Sequence, residues 1–359
     1  MAAPTAGLAT LVTDRVATAL REHTRPFTSL EGVEELLSAG EALLGGGKRL
    51  RAAFCTAGWT AFTDRLVAAG SPPVLAGSAL ELFQGAALAH DDLMDGSLTR
   101  RGLPAVHRRM AAEHAERGWL GDPDRHGASG AILLGDLLLS VSSIEMDLAR
   151  RLVDDDASVR ARSTWDLMTT EVAVGQYLDV RSQVLPWNEQ DDVARALTVV
   201  KHKSARYSVE HPLVLGAALA GAPEEALEAL RRVGLPLGVA FQLWDDVLGV
   251  FGEPEVTGKP AGDDLREGKR TVLLALALRN ADAEQRATLQ HHVGRPDLSG
   301  EDVALLRTVL ETTGAVAEHQ QLVDSHLAEG LDALDGLGLP AASHEMLTGL
   351  ARMLTAREA

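Results

Sequence analysis

Cysteine is nearly absent from this sequence. Cys55 stands alone among 359 residues, so no disulfide can form within the chain, and a reducing compartment suits it. Aromatic residues make up only 4%, and tyrosine occurs twice. Ala and Leu dominate an apolar fraction of 46%, which favours close-packed helices over sheets, since sheets recruit β-branched and aromatic side chains. Positive charge is also scarce. Thirty-four Lys and Arg face 51 Asp and Glu, a formal net charge of −17. A nucleic-acid partner is excluded on that ground, because affinity for it comes from Lys and Arg on phosphates. A small phosphorylated substrate is not excluded, because a local basic cluster can sit inside an acidic protein. The N-terminus, MAAPTAGLATLVTDR, lacks the basic start and long apolar run of a secretory signal. No apolar stretch reaches the roughly 18 uninterrupted residues of a spanning helix. A cytoplasmic protein with no integral membrane segment is expected.

What is present is helical periodicity from end to end. Thr28 and Glu31 predict a capping box opening a helix toward Leu44. Gly45-Gly46-Gly47 interrupts, and a helix resumes from Lys48 to about Ala69. An apolar helix is expected over about 74–95, and Pro104 suits a first turn. Further patterns cover about 128–153, 158–183, 190–221, 223–251, 265–280, 301–334 and 341–356. With no strand alternation, repeat or low-complexity linker, a single all-α domain over 1–359 is expected, residues 1–25 forming a less ordered extension. The segment 252–268 is the longest expected irregular stretch, and such loops are often functional.

Two acidic clusters end apolar helices. The first is Asp91-Asp92-Leu93-Met94-Asp95; Asp91 and Asp95 are four apart and stack on one helix face, where like charges repel unless a cation lies between them. The second is Asp245-Asp246. Each alone is also compatible with a helix end meeting water; two together, with no His or Cys set beside them, point to magnesium, a hard ion held by carboxylates and substrate phosphates. Asp154-Asp155-Asp156 and Asp191-Asp192 have the position of solvated helix caps. Cations accompany the acids: Lys48, Arg49 and Arg51 after the glycine triplet, Arg100 and Arg101 after the first cluster, Lys259, Lys269 and Arg270 after the second, and Lys201 and Lys203 within another helix. Exposed N–H groups at a helix start together with basic side chains make a phosphate cradle.

These blocks resemble the trans-prenyl diphosphate synthases, the polyprenyl synthetases, from about Leu30 to Leu278. The matching residues are Gly46-Gly47-Lys48-Arg49-Leu50-Arg51, His90-Asp91-Asp92-Leu93-Met94-Asp95, Arg100-Arg101-Gly102, Gly135-Asp136, Lys203-Ser204, Phe241-Gln242-Leu243-Trp244-Asp245-Asp246, Thr257-Gly258-Lys259-Pro260 and Asp264-Leu265-Arg266-Glu267-Gly268-Lys269-Arg270-Thr271. The resemblance implies a bundle of long helices around a deep apolar cavity. It also implies a magnesium-dependent condensation of isopentenyl diphosphate with an allylic diphosphate, in a homodimer. Asp91, Asp95 and Asp245 would bind the metal, and Asp91, Asp92, Asp95, Asp245, Asp246, Arg100 and Lys203 would form the catalytic set. Lys48, Arg51 and Arg101 would hold isopentenyl diphosphate. Arg100, Lys203, Gln242 and Lys259 would hold the allylic diphosphate, with Gln84, Ser204 and Lys269 also at the substrates.

Three positions depart from the family pattern. Gln84 stands where many members have histidine, Gly249 where many have a third aspartate of the second motif, and Ser204 where threonine is common. Product length is expected to depend on Ala86 and Ala87, about one turn below Asp91 or roughly 6 Å, and on Phe83, about two turns below or roughly 12 Å. An open first turn above an aromatic floor suits geranylgeranyl diphosphate, with a farnesyl or longer product as the alternative. A terpene cyclase would carry an Asn/Ser/Glu metal motif late in the chain in place of the second aspartate pair. A non-catalytic partner subunit would lack metal aspartates, and Gly249 keeps that alternative open.

Overall fold

The computed structural model describes residues 3–188, 190–253 and 262–355. By chain packing it divides into two compact units, Met1–Trp165 with Pro212–Leu227, and Asp166–His211 with Glu228–Ala359. Almost every described element is helical.

The first unit is built on two long helices, α4 (Pro72–Met94) and α6 (Pro123–Arg150), flanked by α1 (Ala3–Thr24), α2 (Val33–Leu44), α3 (Leu50–Thr60) and α5 (Val106–Glu116). Its core gathers Val12, Val16, Leu20, Leu37, Leu82, Ala86, Leu134 and Leu138. Residues 3–24, where a less ordered extension is expected, instead form α1, and its apolar face enters this core. Arg15 and His23 of α1 both reach Glu145 of α6, which is fully buried; His23 Nε2 lies 2.8 Å from it. A buried carboxylate needs such partners, and the sequence offers them at one face of α1.

Several helix boundaries differ from expectation. Thr28 does not cap α2; its hydroxyl donates to Arg25 O, and Gly32 in the left-handed region starts the helix. Pro104 lies not in a helix but in a two-stranded ribbon, Thr99–Arg100 paired with Leu103–Pro104. Arg101 and Gly102 both take positive φ, the signature of a two-residue type I′ hairpin turn. Helix α9 (His211–Leu219) crosses α3 backbone to backbone: a Cβ on Gly216 would overlap Cys55 O, and one on Gly58 would overlap Leu213 O. This crossing buries Cys55 and pushes its thiol up to about 12 through loss of solvation, so it is inert.

The second unit contains most of α7 (Asp155–Val184), then α8 (Asp192–Val199), which runs into a π-helix, Val200–Glu210. Most of α10 (Glu224–Phe251) follows, and then six helices from Asp263–Glu267 to Ala341–Leu354. Its core gathers Val239, Leu243, Leu265, Leu273, Leu276, Leu306 and Val323. The expected helix over 265–280 is broken by Gly268, left-handed at φ 73°, and restarts with Thr271 capping Leu274 N. The expected helix over 301–334 is likewise divided at Gly314. Helix Ala283–His292 was not anticipated, although Asp282 and Gln285 form its capping box. Asp154 does cap, accepting from Ala157 N at 2.9 Å.

Two helices, α6 and α10, are long and apolar enough to cross a membrane by length and composition alone. More than half of the α10 window is buried inside the protein, as a core helix requires, whereas α6 exposes Ile132, Leu133 and Ile144.

His319, on the helix Ala315–Asp335, is fully buried, and neither ring nitrogen has a hydrogen-bond partner among the described residues. Burial lowers its pKa from 6.5 to about 4. Because the folded value lies below the unfolded one, the unfolded chain binds more protons between those values. Stability therefore falls as pH drops from about 6.5 toward 4. His319→Leu is expected to raise the urea midpoint at pH 7 and to flatten this slope. Equal urea midpoint changes for both proteins between pH 7 and pH 4.5 would refute it.

Candidate active site

The first acidic motif closes α4. Asp95 caps the helix, its N–H bonded to Asp91 O at 2.8 Å. Asp92 is fully buried and turns inward to Arg100, whose Nε lies 3.0 Å from one carboxylate oxygen and 3.2 Å from the other. Asp91 is partly exposed and stands 4.0 Å from the same guanidinium. Asp92 thus orients Arg100; Asp91 stays partly exposed, whereas both Asp95 carboxylate oxygens are shielded from solvent. The hairpin from residue 99 to 104 supplies Arg100 and Arg101 together. His90 packs against α6, its ring occupying the space that a Cβ on Gly135 would need. This accounts for the Gly135-Asp136 block; His90 Nε2 reaches Ile132 O at 3.1 Å.

Arg101 lies along the glycine loop. Its Nη1 donates to Gly45 O at 2.9 Å, and a Cβ on Gly47 would come within 2.9 Å of Nη2. Gly46 and Gly47 both take positive φ, so the loop shape and the close approach each require glycine. Burial lowers the Arg101 pKa, as do the charges of Arg49, Arg100 and Arg51, with Glu81 opposing. Four guanidinium groups therefore share one small region. Arg49 itself is buried and committed to structure, donating to Glu81 at 3.1 Å and Leu44 O at 2.8 Å. Lys48 is exposed, and Arg51 and Gln84 are half-buried.

The second acidic motif lies on α10. Asp245 is exposed; Asp246 is buried, with Oδ1 accepting from Gln242 Nε2 at 2.9 Å. Gln242 Oε1 in turn accepts from the Ser204 hydroxyl. Burial raises the Asp246 pKa well above the usual carboxylate range; Gln242 pulls it down, Asp264 and Asp245 push it up, and Lys269 lowers it. Asp246 Oδ2 is buried without a hydrogen bond among the described residues. An orphaned carboxylate oxygen with further carboxylates beside it suits a nearby hard cation. No three His, Cys, Asp or Glu side chains close into a cage among the described residues.

Gly249 has a physical explanation. A Cβ there would lie on top of the Asp264 carboxylate. Asp264, from the helix Asp263–Glu267, fills the space beside Asp246 that a third aspartate of the motif would take. Lys269 Nζ sits 3.6 Å from Asp264 and 2.9 Å from Glu267. Lys203 lies on the π-helix and pairs with Asp179 of α7 at 2.5 Å. Arg270 is directed elsewhere, over the Trp187 ring at 3.0 Å from its centroid. Lys201 is exposed. Lys259 lies outside the described residues.

Of the residues linked to product length, Phe83 is buried and meets Trp165 edge to face, with centroids 6.0 Å apart. Ala87 is half-buried, whereas Ala86 packs in the core of the first unit. Sequence reasoning missed Asp179, Asp264 and Trp165. Asp264 sat inside a matched block without a role; for Asp179 and Trp165 no local pattern gave a signal.

The chain matches the family described as Polyprenyl synthetase over residues 33–310. It is 31% identical to a geranylgeranyl diphosphate synthase of Methanosarcina mazei over 313 residues, 85% of this chain and 84% of that protein. A geranylfarnesyl diphosphate synthase of Aeropyrum pernix is 29% identical over 307 residues, 84% and 87% of the two chains. Among solved structures, a geranylgeranyl pyrophosphate synthase from Corynebacterium glutamicum, complexed with isoprenyl diphosphate and magnesium, superposes with a TM-score of 0.90. It shares 36% identity over 98% of this chain and 99% of that one. A match this long, running through both acidic motifs and the arginine-lined glycine loop, has one consequence: the chain belongs to the polyprenyl synthetase family and is a prenyltransferase.

Proposed function

We propose that this prenyltransferase condenses isopentenyl diphosphate with allylic diphosphates to give a linear trans product, geranylgeranyl diphosphate. One observation carries the substrate assignment: the guanidinium groups of Arg49, Arg51, Arg100 and Arg101 crowd beside a glycine loop. Glu81 and Asp92 already pair with Arg49 and Arg100, so Arg101 and Arg51 are the guanidinium groups assigned to an incoming anion at this loop. Arg101, Arg51 and Lys48 are assigned to the diphosphate of isopentenyl diphosphate. Lys203, Gln242, Ser204, Lys269 and Arg100 are assigned to the allylic diphosphate, with Gln84 donating an amide hydrogen to a phosphate oxygen. Lys259, from outside the described residues, is assigned to the same group.

Asp91, Asp95 and Asp245 would hold magnesium, supported by Asp264 and by Asp246 beside its Gln242 partner. Magnesium, when bound, neutralises the diphosphate oxygens and so favours breaking the allylic C–O bond. The cationic side chains oppose the charge that grows on the departing group, which lowers the barrier because that charge is greatest late in the step. At about 4 Å and an effective dielectric near 20, one full charge pair contributes roughly 4 kcal/mol before screening. The allylic C1 then bonds to the terminal alkene carbon of isopentenyl diphosphate, which leaves a tertiary cation at C3. A proton leaves C2, the released diphosphate accepts it, and the new C2=C3 double bond forms.

Phe83, braced by Trp165, is assigned as the floor beneath Ala87. Phe83→Ala should lengthen the product by one or more isoprene units, and Phe83→Ala with Trp165→Ala further still. Unchanged product lengths would rule out the floor. The exposed stripe Leu167, Val174, Tyr177 and Val184 on α7 supports a homodimer, since contiguous apolar surface marks an association site. A cytoplasmic, detergent-free dimer is the expected form, and light scattering of the purified protein checks it.

Incubation with magnesium, isopentenyl diphosphate and dimethylallyl, geranyl or farnesyl diphosphate, with and without a chelator, tests the assignment. Linear, chelator-sensitive C20 product is expected. Cyclic hydrocarbon would indicate a cyclase, and no elongation by folded protein would indicate a non-catalytic subunit.

A further inference from the structure

Three donors converge on one carboxylate away from both acidic motifs. Glu171, on α7, receives His202 Nδ1 at 2.6 Å and Arg206 Nη1 at 3.0 Å on one oxygen, and His211 Nε2 at 2.7 Å on the other. Its side chain is only 9% exposed. Burial alone would raise its pKa, but hydrogen bonds from His211 and His202 and the charge of Arg206 bring it down to about 2. Glu171 is therefore ionised at any working pH.

All three donors belong to the π-helix or its end. His202 and Arg206 lie within Val200–Glu210, and His211 closes it by donating its N–H to Arg206 O, the five-residue span of a π-turn. Runs of this geometry are rare and concentrate at functional positions. The segment also lies backbone-first against its neighbours. A Cβ on Gly175, one turn beyond Glu171, would run into Lys203 N and stand 2.5 Å from His202 C. On α10, a Cβ on Gly238 would stand 2.7 Å from Ala205 C, and one on Gly234 2.6 Å from Glu210 Cα. Glu171, Gly175 and Asp179 share one face of α7 at four-residue intervals. That face therefore meets His202, His211 and Lys203 in turn.

Lys203 and Ser204 sit one and two residues after His202. Both make their contacts, to Asp179 and Gln242, from within the wide turns, and a change toward α geometry would alter the angular position of each side chain on the helix. We propose that Glu171 is a positioning residue, holding His202 and His211 at the two ends of the π-helix so that Lys203 and Ser204 face the allylic diphosphate. The substrate named here rests on the prenyl-transfer assignment above.

The test compares wild-type protein with Glu171→Gln, and with Gly175→Ala as an independent push on the same segment. Amide hydrogen exchange over residues 200–210 is expected to accelerate about tenfold in both variants, more than over the rest of the chain. Melting temperatures should fall, because the buried ion pairs are weakened or the new Cβ meets backbone. The KM for allylic diphosphate should rise, and kcat fall, by about tenfold each, while the KM for isopentenyl diphosphate stays within about twofold. Adding Lys203→Met to Glu171→Gln should cost less than it does in wild type, because the lysine is already misaimed. Unchanged exchange, an equal rise in both KM values, or fully additive losses would each overturn the proposal. If wild-type protein elongates no primer, the prenyl-transfer assignment fails and the substrate named for Lys203 fails with it. The exchange measurement then still decides whether Glu171 holds the π-helix.

Discussion

Asp91→Asn is expected to lower kcat at least about a hundredfold at saturating substrates and a magnesium concentration just sufficient for the wild type, with little change in thermal stability. Asp91 is partly exposed at the end of α4, so removing its charge leaves no buried group stranded. The neighbouring Asp92 behaves in the opposite way. It is fully buried against Arg100, so Asp92→Asn should reduce stability as well as activity, because a half-buried guanidinium loses its buried counter-ion. Melting temperatures and kcat measured for both variants separate the two roles. The loss in Asp91→Asn should be partly recovered at high magnesium, since a weakened site fills by mass action. Activity within fivefold of wild type would remove Asp91 from the metal set.

Gly249→Asp is the second large effect, and its sign runs against sequence logic. The substitution completes the second aspartate motif, yet the new Cβ would fall on the Asp264 carboxylate. Overpacking and an added like charge beside buried Asp246 should cost about 3 kcal/mol of stability and about a hundredfold in kcat. The exchange variant, Gly249→Asp with Asp264→Gly, should recover at least about tenfold of that activity, because one carboxylate again occupies the space. A Gly249→Asp protein as active as wild type would show that Asp264 yields easily and holds no defined place. An exchange variant no better than the single one would show that Asp264 has a role beyond supplying a carboxylate.

Chemistry-bearing residues were legible where local pattern and charge coincide. Asp91 and Asp95 stand out because like charges at helical spacing need a reason, and Arg100 and Arg101 because two cations follow closely. The limits of the helices were less legible. Gly268 and Gly314 break apparently continuous apolar periods, because left-handed backbone ends a helix whatever the hydrophobic pattern says. The N-terminal segment precedes the motifs that carry the family resemblance, which begin after Leu30. Only the partners Glu145 and Glu41 explain Arg15, His23 and Arg21 as docking contacts.

The sequence by itself determined the helical class, both carboxylate motifs, the cation set and the family resemblance, because each rests on residue type and short spacing. Tertiary structure alone decided that Asp92 serves Arg100, that Asp264 stands beside Gly249, that Trp165 braces Phe83 and that Glu171 holds the π-helix. These pairs are separated by 8, 15, 82 and 31 to 40 residues in the chain. The last three join residues of different helices, and no periodicity encodes such a meeting. Chain packing fixes it, and at the π-helix it does so through Gly175 and Gly238, which let backbones touch.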